Sequence, residues 1–280
     1  MPSSDWYNCP IVIPYYGGKY QLSKSLVPLI PHHKRYIEVF AGGLSMFFRK
    51  YKVEWNVLND IDNNIVNLYM SVLEKHDELV ENLFWIMKSR KLFLDFREEI
   101  RRNDKIKIPD PVRAAKYFYC IRFSFNKLIN TPFSMNKDMN KNWDEEFQYS
   151  RQFLAGATIE NLDFETLFNK YEPRNGDFWY LDPPYFVATE KGSYYMENFS
   201  IEDHYRLSKC VDKIDEGGGQ FMISYDYRAE VEELYSKYNM KTLKLKYSGA
   251  TKDARAIERK EYIIMNYEPI SQIDIFEDVV

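Results

Sequence analysis

Short apolar runs alternate with stretches of helical periodicity along most of this chain. Tyr36 to Phe40 reads as a strand, Ala41-Gly42-Gly43 as a turn, and Leu44 to Phe48 as the start of a helix. A second strand, Asn56 to Asn59, ends at Asp60, and helical spacing follows over 62–73. Further strands are predicted at 158–160, 177–181 and 221–225. The matching helices run from about 163 to 170, from Ser200 to the glycines at 217–219, and over 229–237. The stretches 240–247 and 257–266 read as two antiparallel strands joined by a polar loop, 248–256. Strand–helix alternation of this kind predicts an α/β domain built on a mostly parallel sheet.

One region breaks the alternation. From about 75 to 150 the pattern is helical over 77–102 and 112–125, with a break at Pro109-Asp110-Pro111, and then turns polar and loop-like over 126–148. An insertion explains it: 1–74 and 151–280 form one domain, and 75–150 an inserted, mainly helical subdomain. Composition sharpens this division. The net charge is −4, yet 88–141 holds fourteen Lys or Arg against six Asp or Glu, and 241–260 holds seven against two. Such a patch is the footprint expected for a phosphate backbone, although solvated helix faces carry similar runs. Three cysteines far apart imply neither a zinc site nor a disulfide framework. No signal pattern opens the chain and no run approaches the ~20 apolar residues of a membrane span. A cytoplasmic protein is expected.

The candidate chemistry sits at strand ends. Asp177 to Leu181 is an apolar strand that stops at Asp182-Pro183-Pro184-Tyr185. The prolines donate no backbone N–H, and Pro184 holds Pro183 extended, so a carbonyl can be aimed outward beside the Asp182 carboxylate. Tyr185 adds an aromatic face. A planar heterocycle with an exocyclic amine fits this combination; a plain proline turn is the structural alternative. Gly42 lets the backbone approach a ligand, and Asp60, about 20 residues on, can accept from ribose hydroxyls or cap the helix after it. Tyr15-Tyr16-Gly17-Gly18-Lys19 is a turn with a cation beside it.

In order, these pieces resemble the Dam-type, D12-class DNA adenine-N6 methyltransferases of the alpha group. Tyr15 to Lys19 is similar to that family's W-x-G-G-K, Glu38 to Gly43 to E-P-F-x-G-x-G, Asn59 to Asp62 to N-D-x-N, Asp182 to Tyr185 to D-P-P-Y, and Phe199 to Leu207 to F-[ST]-x-x-D-[HQ]-x-x-L. The resemblance implies a Rossmann-like fold with a seven-stranded, mostly parallel sheet and a C-terminal antiparallel hairpin. It implies S-adenosyl-L-methionine as cofactor, with no metal. Tyr15, Lys19, Phe40, Gly42, Asp60, Asp163, Phe164 and Asp182 would line the cofactor. Asp182, Pro183 and Tyr185 would hold a flipped-out adenine. Arg122, Asn126, Asn130, Asn136 and Lys137 would contact double-stranded DNA. The enzyme would act as a monomer, or as a transient dimer on DNA, within a restriction–modification, phage or epigenetic system. Methylation of RNA or of a protein amine, and a catalytically silent DNA-binding homologue, are the alternatives. Departures are visible: Val39 replaces a proline, Leu44 stands where a third small residue is common, and Lys127 replaces the glycine of N-[RK]-[YF]-x-[YF]-N-G. The target sequence is therefore not assigned.

Overall fold

The computed structural model describes residue 19 and residues 22–102, 106–137, 143–186, 199–247 and 257–269; residues 126, 245–247 and 257–259 are described by backbone alone. Strands β1 (Arg35–Glu38), β2 (Trp55–Asn59), β3 (Thr158–Glu160), β4 (Asp177–Leu181), β5 (Gln220–Asp226), β6 (Asn239–Tyr247) and β7 (Ile257–Met265) form one sheet in the order β3-β2-β1-β4-β5-β7-β6. The first five are parallel, and β7 enters antiparallel between β5 and β6. The chain reverses direction across the sheet at β1, so β1 and β4 diverge from a switch point, where ligands of open α/β sheets bind.

Nine helices are numbered α1 (Ser23–Leu26), α2 (Asn63–Glu74), α3 (His76–Phe84), α4 (Arg90–Arg101), α5 (Pro111–Phe123), α6 (Trp143–Leu154), α7 (Phe164–Tyr171), α8 (Ile201–Glu216) and α9 (Ala229–Tyr235) among the described residues. Their starts carry legible caps. Asp62, Asp110, Asp163 and Ser200 each accept an amide of their helix's first turn, and Pro111 fills the first position of α5. Ser200 and Asp203 close a reciprocal capping box, with Asp doing the work usual for Glu.

Side-chain alternation divides the sheet into two buried faces. Ile37, Val57, Trp179, Leu181, Ile223 and Ile264 face α7, α8 and α9. Tyr36, Leu58, Phe178, Tyr180, Met222, Ile263 and Met265 face the other cluster, which also takes in α2 to α6. The helices of 75–150 thus share a core with the sheet. A bidentate pair between Arg35 and Asp177 clamps the first residues of β1 and β4 together.

Several expectations need correction. Leu44 to Phe48 is one closed turn, with the Phe48 amide donating to Leu44 O at 3.0 Å, and no helix follows. The backbone reason is that Gly42 (φ 46°) and Leu44 (φ 52°) both sit in the left-handed region. The stretch 77–102 is two helices, because Ser89 starts a new one by accepting the Leu92 amide. The break leaves Phe84, Trp85 and Met87 in solvent rather than on a core face. The loop expected over 126–148 ends at Trp143, where α6 begins; Trp143, Phe147, Ser150 and Leu154 form its buried stripe.

Candidate active site

Period-two alternation brings separate carboxylates to one place. Glu38 follows Tyr36 in phase on β1, Asp182 continues the phase of Phe178 and Tyr180 beyond β4, and Glu261 precedes Ile263 and Met265 on β7. All three lie on the face covered by α2 to α6. Glu261 stands opposite Asp226, the last residue of β5, so antiparallel β7 delivers its carboxylate where the parallel strands end.

Lys19 joins these elements. Its Nζ lies 3.0 Å from Asp182 Oδ1 and 3.2 Å from Glu261 Oε2, and it donates to the Tyr185 hydroxyl. That hydroxyl also bonds Glu261. The ammonium thus faces three oxygens, two of them from carboxylates. Burial by itself would lower the Lys19 pKa, and the two carboxylates outweigh it, raising the pKa above the ordinary lysine value. Asp182 is pushed up to about 6, first by burial and then by the Glu261 charge, against the pull of Lys19. Its side chain stays 23 % exposed, which is the opening through which an amine could reach it. Pro183 is buried behind it, and the Tyr185 ring lies on Tyr225 with centroids 6.0 Å apart.

At the end of β2, Asp60 accepts the Gly42 amide at 2.7 Å and the Asp62 amide at 2.9 Å. The helix cap is Asp62, not Asp60. Burial, and then the neighbouring Asp62 charge, raise Asp60 to about 7 against the amides that bond it. Glu38 is more deeply set. It accepts the Tyr36 hydroxyl at 2.8 Å, and burial pushes it up to about 8.

Phe40 and Phe164 lie 6.1 Å apart, and Phe199 completes an aromatic cluster with them at 5.9 Å from each. Asp163, the cap of α7, is also paired with Arg206 at 3.1 Å, and that guanidinium lies over the Phe164 ring. Behind the cluster, His204 stacks on Phe186, meets Phe199 edge-on and bonds the Tyr225 hydroxyl. The structure thus brings Lys19, Asp182, Pro183 and Tyr185 together, joins Gly42 to Asp60, and groups Phe40 with Asp163 and Phe164. Tyr15 lies outside the described residues, as do residues 187–198, 248–256 and 270–280. Among the described residues, no group of three His, Cys, Asp or Glu is placed to share a metal ion.

The residues expected at DNA lie at the end of α5 and in the loop after it. Arg122 is in the last turn of α5, its guanidinium over the Phe118 ring. Asn126 is described by backbone alone. Asn130 accepts from Arg101 Nε at 3.1 Å, Asn136 is exposed, and Lys137 donates to Ser124 O at 2.6 Å. Burial and the nearby Lys127 and Arg122 lower the Lys137 pKa, so like charges crowd this loop. Elsewhere in the insert, three of the described cations have internal partners: Lys91 pairs with Asp95, Lys116 with Glu99, and buried Arg113 donates to Asn64 and Ile100 O.

Two contributors escaped sequence reasoning. Glu261 left one signal, an acid in phase with the buried Ile263 and Met265 and next to the apolar end of β7, Tyr262 to Met265. His204 was legible only as the [HQ] position of the motif that Phe199 to Leu207 resembles, with no role attached to it.

The profile of the D12 class N6 adenine-specific DNA methyltransferases matches residues 15–248. The chain is 29 % identical over 267 residues to the Type II methyltransferase M1.LlaDCHI of Lactococcus lactis subsp. cremoris, covering 90 % of this chain and 93 % of that one. It is 26 % identical to the Type II methyltransferase M.MjaIII of Methanocaldococcus jannaschii, over 90 % of this chain and 96 % of that one. A DNA adenine methylase of Vibrio cholerae is 23 % identical, over 81 % and 85 %.

Proposed function

This chain belongs to the D12 class of N6 adenine-specific DNA methyltransferases, and from that premise we propose how its residues divide the work of methylating adenine in DNA. The family draws on S-adenosyl-L-methionine, which supplies an electrophilic methyl group on a sulfonium. Two features of this chain fit that cofactor. The raised Asp60 carboxylate has acceptor capacity beyond its two amides, and a ribose diol donating to it would stabilise its charged form. The cluster of Phe40, Phe164 and Phe199 offers an apolar surface for a purine, with Asp163 beside it. Tyr15, Lys19, Phe40, Gly42, Asp60, Asp163, Phe164 and Asp182 are the residues that would hold it.

The N6 lone pair of adenine is delocalised into the ring, so the amine is a poor nucleophile. Asp182 and the backbone carbonyl at Asp182–Pro183 accept its two N–H bonds and draw the nitrogen toward tetrahedral geometry. This is catalysis by position and electrostatics. Once methylated, the amine sheds one proton, and the Asp182 carboxylate is the acceptor in place. A base inside a duplex cannot reach this pocket, so it flips out and stacks on Tyr185, a contact worth about 1–3 kcal/mol in single-strand binders. The observation that carries the reading is the Asp182 carboxylate, partly open, at the strand end beside Lys19 and Tyr185.

Residues 75–150 are proposed as the target-recognition unit. Arg122 and Lys137 contact phosphates; Asn126, Asn130 and Asn136 read base edges. The crowding of Arg122, Lys127 and Lys137 supports this, because like charges held together are a standing attraction for a polyanion. The Type II relatives favour a place in restriction–modification; the proposed setting is the cytoplasm, with the enzyme acting as a monomer or as a transient dimer on DNA. Mapping methylated adenines in DNA from cells expressing the protein tests the whole reading. N6-methyladenine at one recurrent sequence is expected, lost in a folded Asp182→Ala variant; DNA without it overturns the reading.

A further inference from the structure

We propose that Glu261 is a positioning residue of this methyltransferase, one that keeps the trio Lys19, Asp182 and Glu261 net negative by sharing Lys19 with Asp182. The proposal rests on the reading of Asp182 given above. It concerns a residue beyond the segment 15–248 that the family profile matches.

A lysine 3.0 Å from an aspartate forms a neutral pair, and a neutral pair makes a weak acceptor for an amine and a poor neighbour for a cation. Glu261 changes both properties. Its Oε2 is 3.2 Å from the same ammonium, so Lys19 faces two carboxylates and the sum over the three groups is −1. Tyr185 occupies the third donor of Lys19 and bonds Glu261 in turn. Lys19 is therefore held from three sides and cannot swing wholly onto Asp182. One oxygen of Asp182 is engaged by Lys19, and the side chain remains partly open.

The position is built into the fold. Glu261 is buried, and its backbone is fixed by pairing with Asp226 on β5 and Leu243 on β6. A carboxylate at a buried sheet position is costly unless paired, and here it is paired with a cation of the catalytic centre itself. A solvated, purely structural acid would need neither Lys19 nor Tyr185.

A net negative trio distinguishes a sulfonium from a neutral sulfur, which gives a binding test independent of turnover. Calorimetric titration of the full chain with S-adenosyl-L-methionine and with its neutral demethylated product, S-adenosylhomocysteine, reads the difference. Glu261→Gln should weaken binding of the sulfonium about tenfold, the scale of one charge-assisted interaction, and leave the neutral product within about twofold. Glu261→Asp keeps the charge and should keep the wild-type ratio of affinities, even where the shorter side chain slows single-turnover methylation. Parallel weakening of both ligands, or no change in either, overturns the proposal. If the Gln variant loses its cooperative melt, Glu261→Asn, which is also neutral, is titrated in its place and judged by the same criterion. Asp182→Asn is the control for the underlying reading. If it still methylates adenine, the assignment of Asp182 falls on its own evidence, while the affinity ratio still judges Glu261.

Discussion

The backbone amide of Gly42 donates to the Asp60 carboxylate across 2.7 Å, tying the turn after β1 to the end of β2. The two residues are neighbours because β1 and β2 are parallel and in register, Glu38 beside Leu58. A left-handed Gly42 turns its amide back onto the adjacent strand. Asp60→Asn should keep the shape and lose the charge. Affinity for S-adenosyl-L-methionine is expected to fall about 10- to 100-fold, the range for a hydrogen bond to a charged group, and the melting temperature should fall too, because each Asp60 oxygen accepts an amide and the Asn amide nitrogen cannot. Calorimetry with a thermal melt checks both.

Methylation should have an acid limb. Asp182 acts as an acceptor only when ionised, and burial followed by the Glu261 charge holds its pKa near 6, above the ordinary carboxylate value. Activity is therefore full above that pH and lost as pH falls through it. A single-turnover pH profile should show a limb near pH 6, and a limb near pH 4 would contradict the assignment.

Leu44 and Lys127 both occupy left-handed backbone, at φ 52° and 62°, and both stand where the resembled motifs carry a small residue or glycine. Glycine relieves about 1–2 kcal/mol at such a site. The two substitutions should nevertheless differ in sign. Leu44 is fully buried, and removing its side chain costs about 3 kcal/mol or more, so Leu44→Gly destabilises. Lys127 is exposed, so Lys127→Gly should raise the melting temperature by about 2 °C. Calorimetric melts decide.

Arg122→Ala and Lys137→Ala should weaken DNA binding by similar factors on specific and random duplexes. Each should reduce the slope of log K against log salt by about one. Fluorescence anisotropy over a salt series measures this. An effect confined to one sequence would instead make the residue a base reader.

The elements legible in the sequence were those whose cause is local. Strand Asp177–Leu181 shows as the apolar and aromatic run Phe178 to Leu181, α8 by Ser200 and Asp203, α5 by Asp110 and Pro111. Where the reading failed, a tertiary choice outweighed a local one. The periodicity of 77–102 continues through Phe84 and Met87, but the first helix ends at Phe84, the next starts after Ser89, and both side chains are exposed. Helix α6 hides its stripe of Trp143, Phe147, Ser150 and Leu154 behind polar neighbours.

The site divides the same way. The sequence alone determined that Asp182 ends a buried strand, that Asp60 ends another, and that glycine precedes a turn, because strand ends, acids and glycines are local facts. Only the tertiary structure decided that Lys19 lies between Asp182 and Glu261, residues 163 and 242 positions away in the chain. The physical reason is the sheet order. By inserting antiparallel β7 next to β5, the fold brings an acid from the far end of the chain to the edge where the parallel strands stop. Nothing in the spacing along the chain encodes that adjacency.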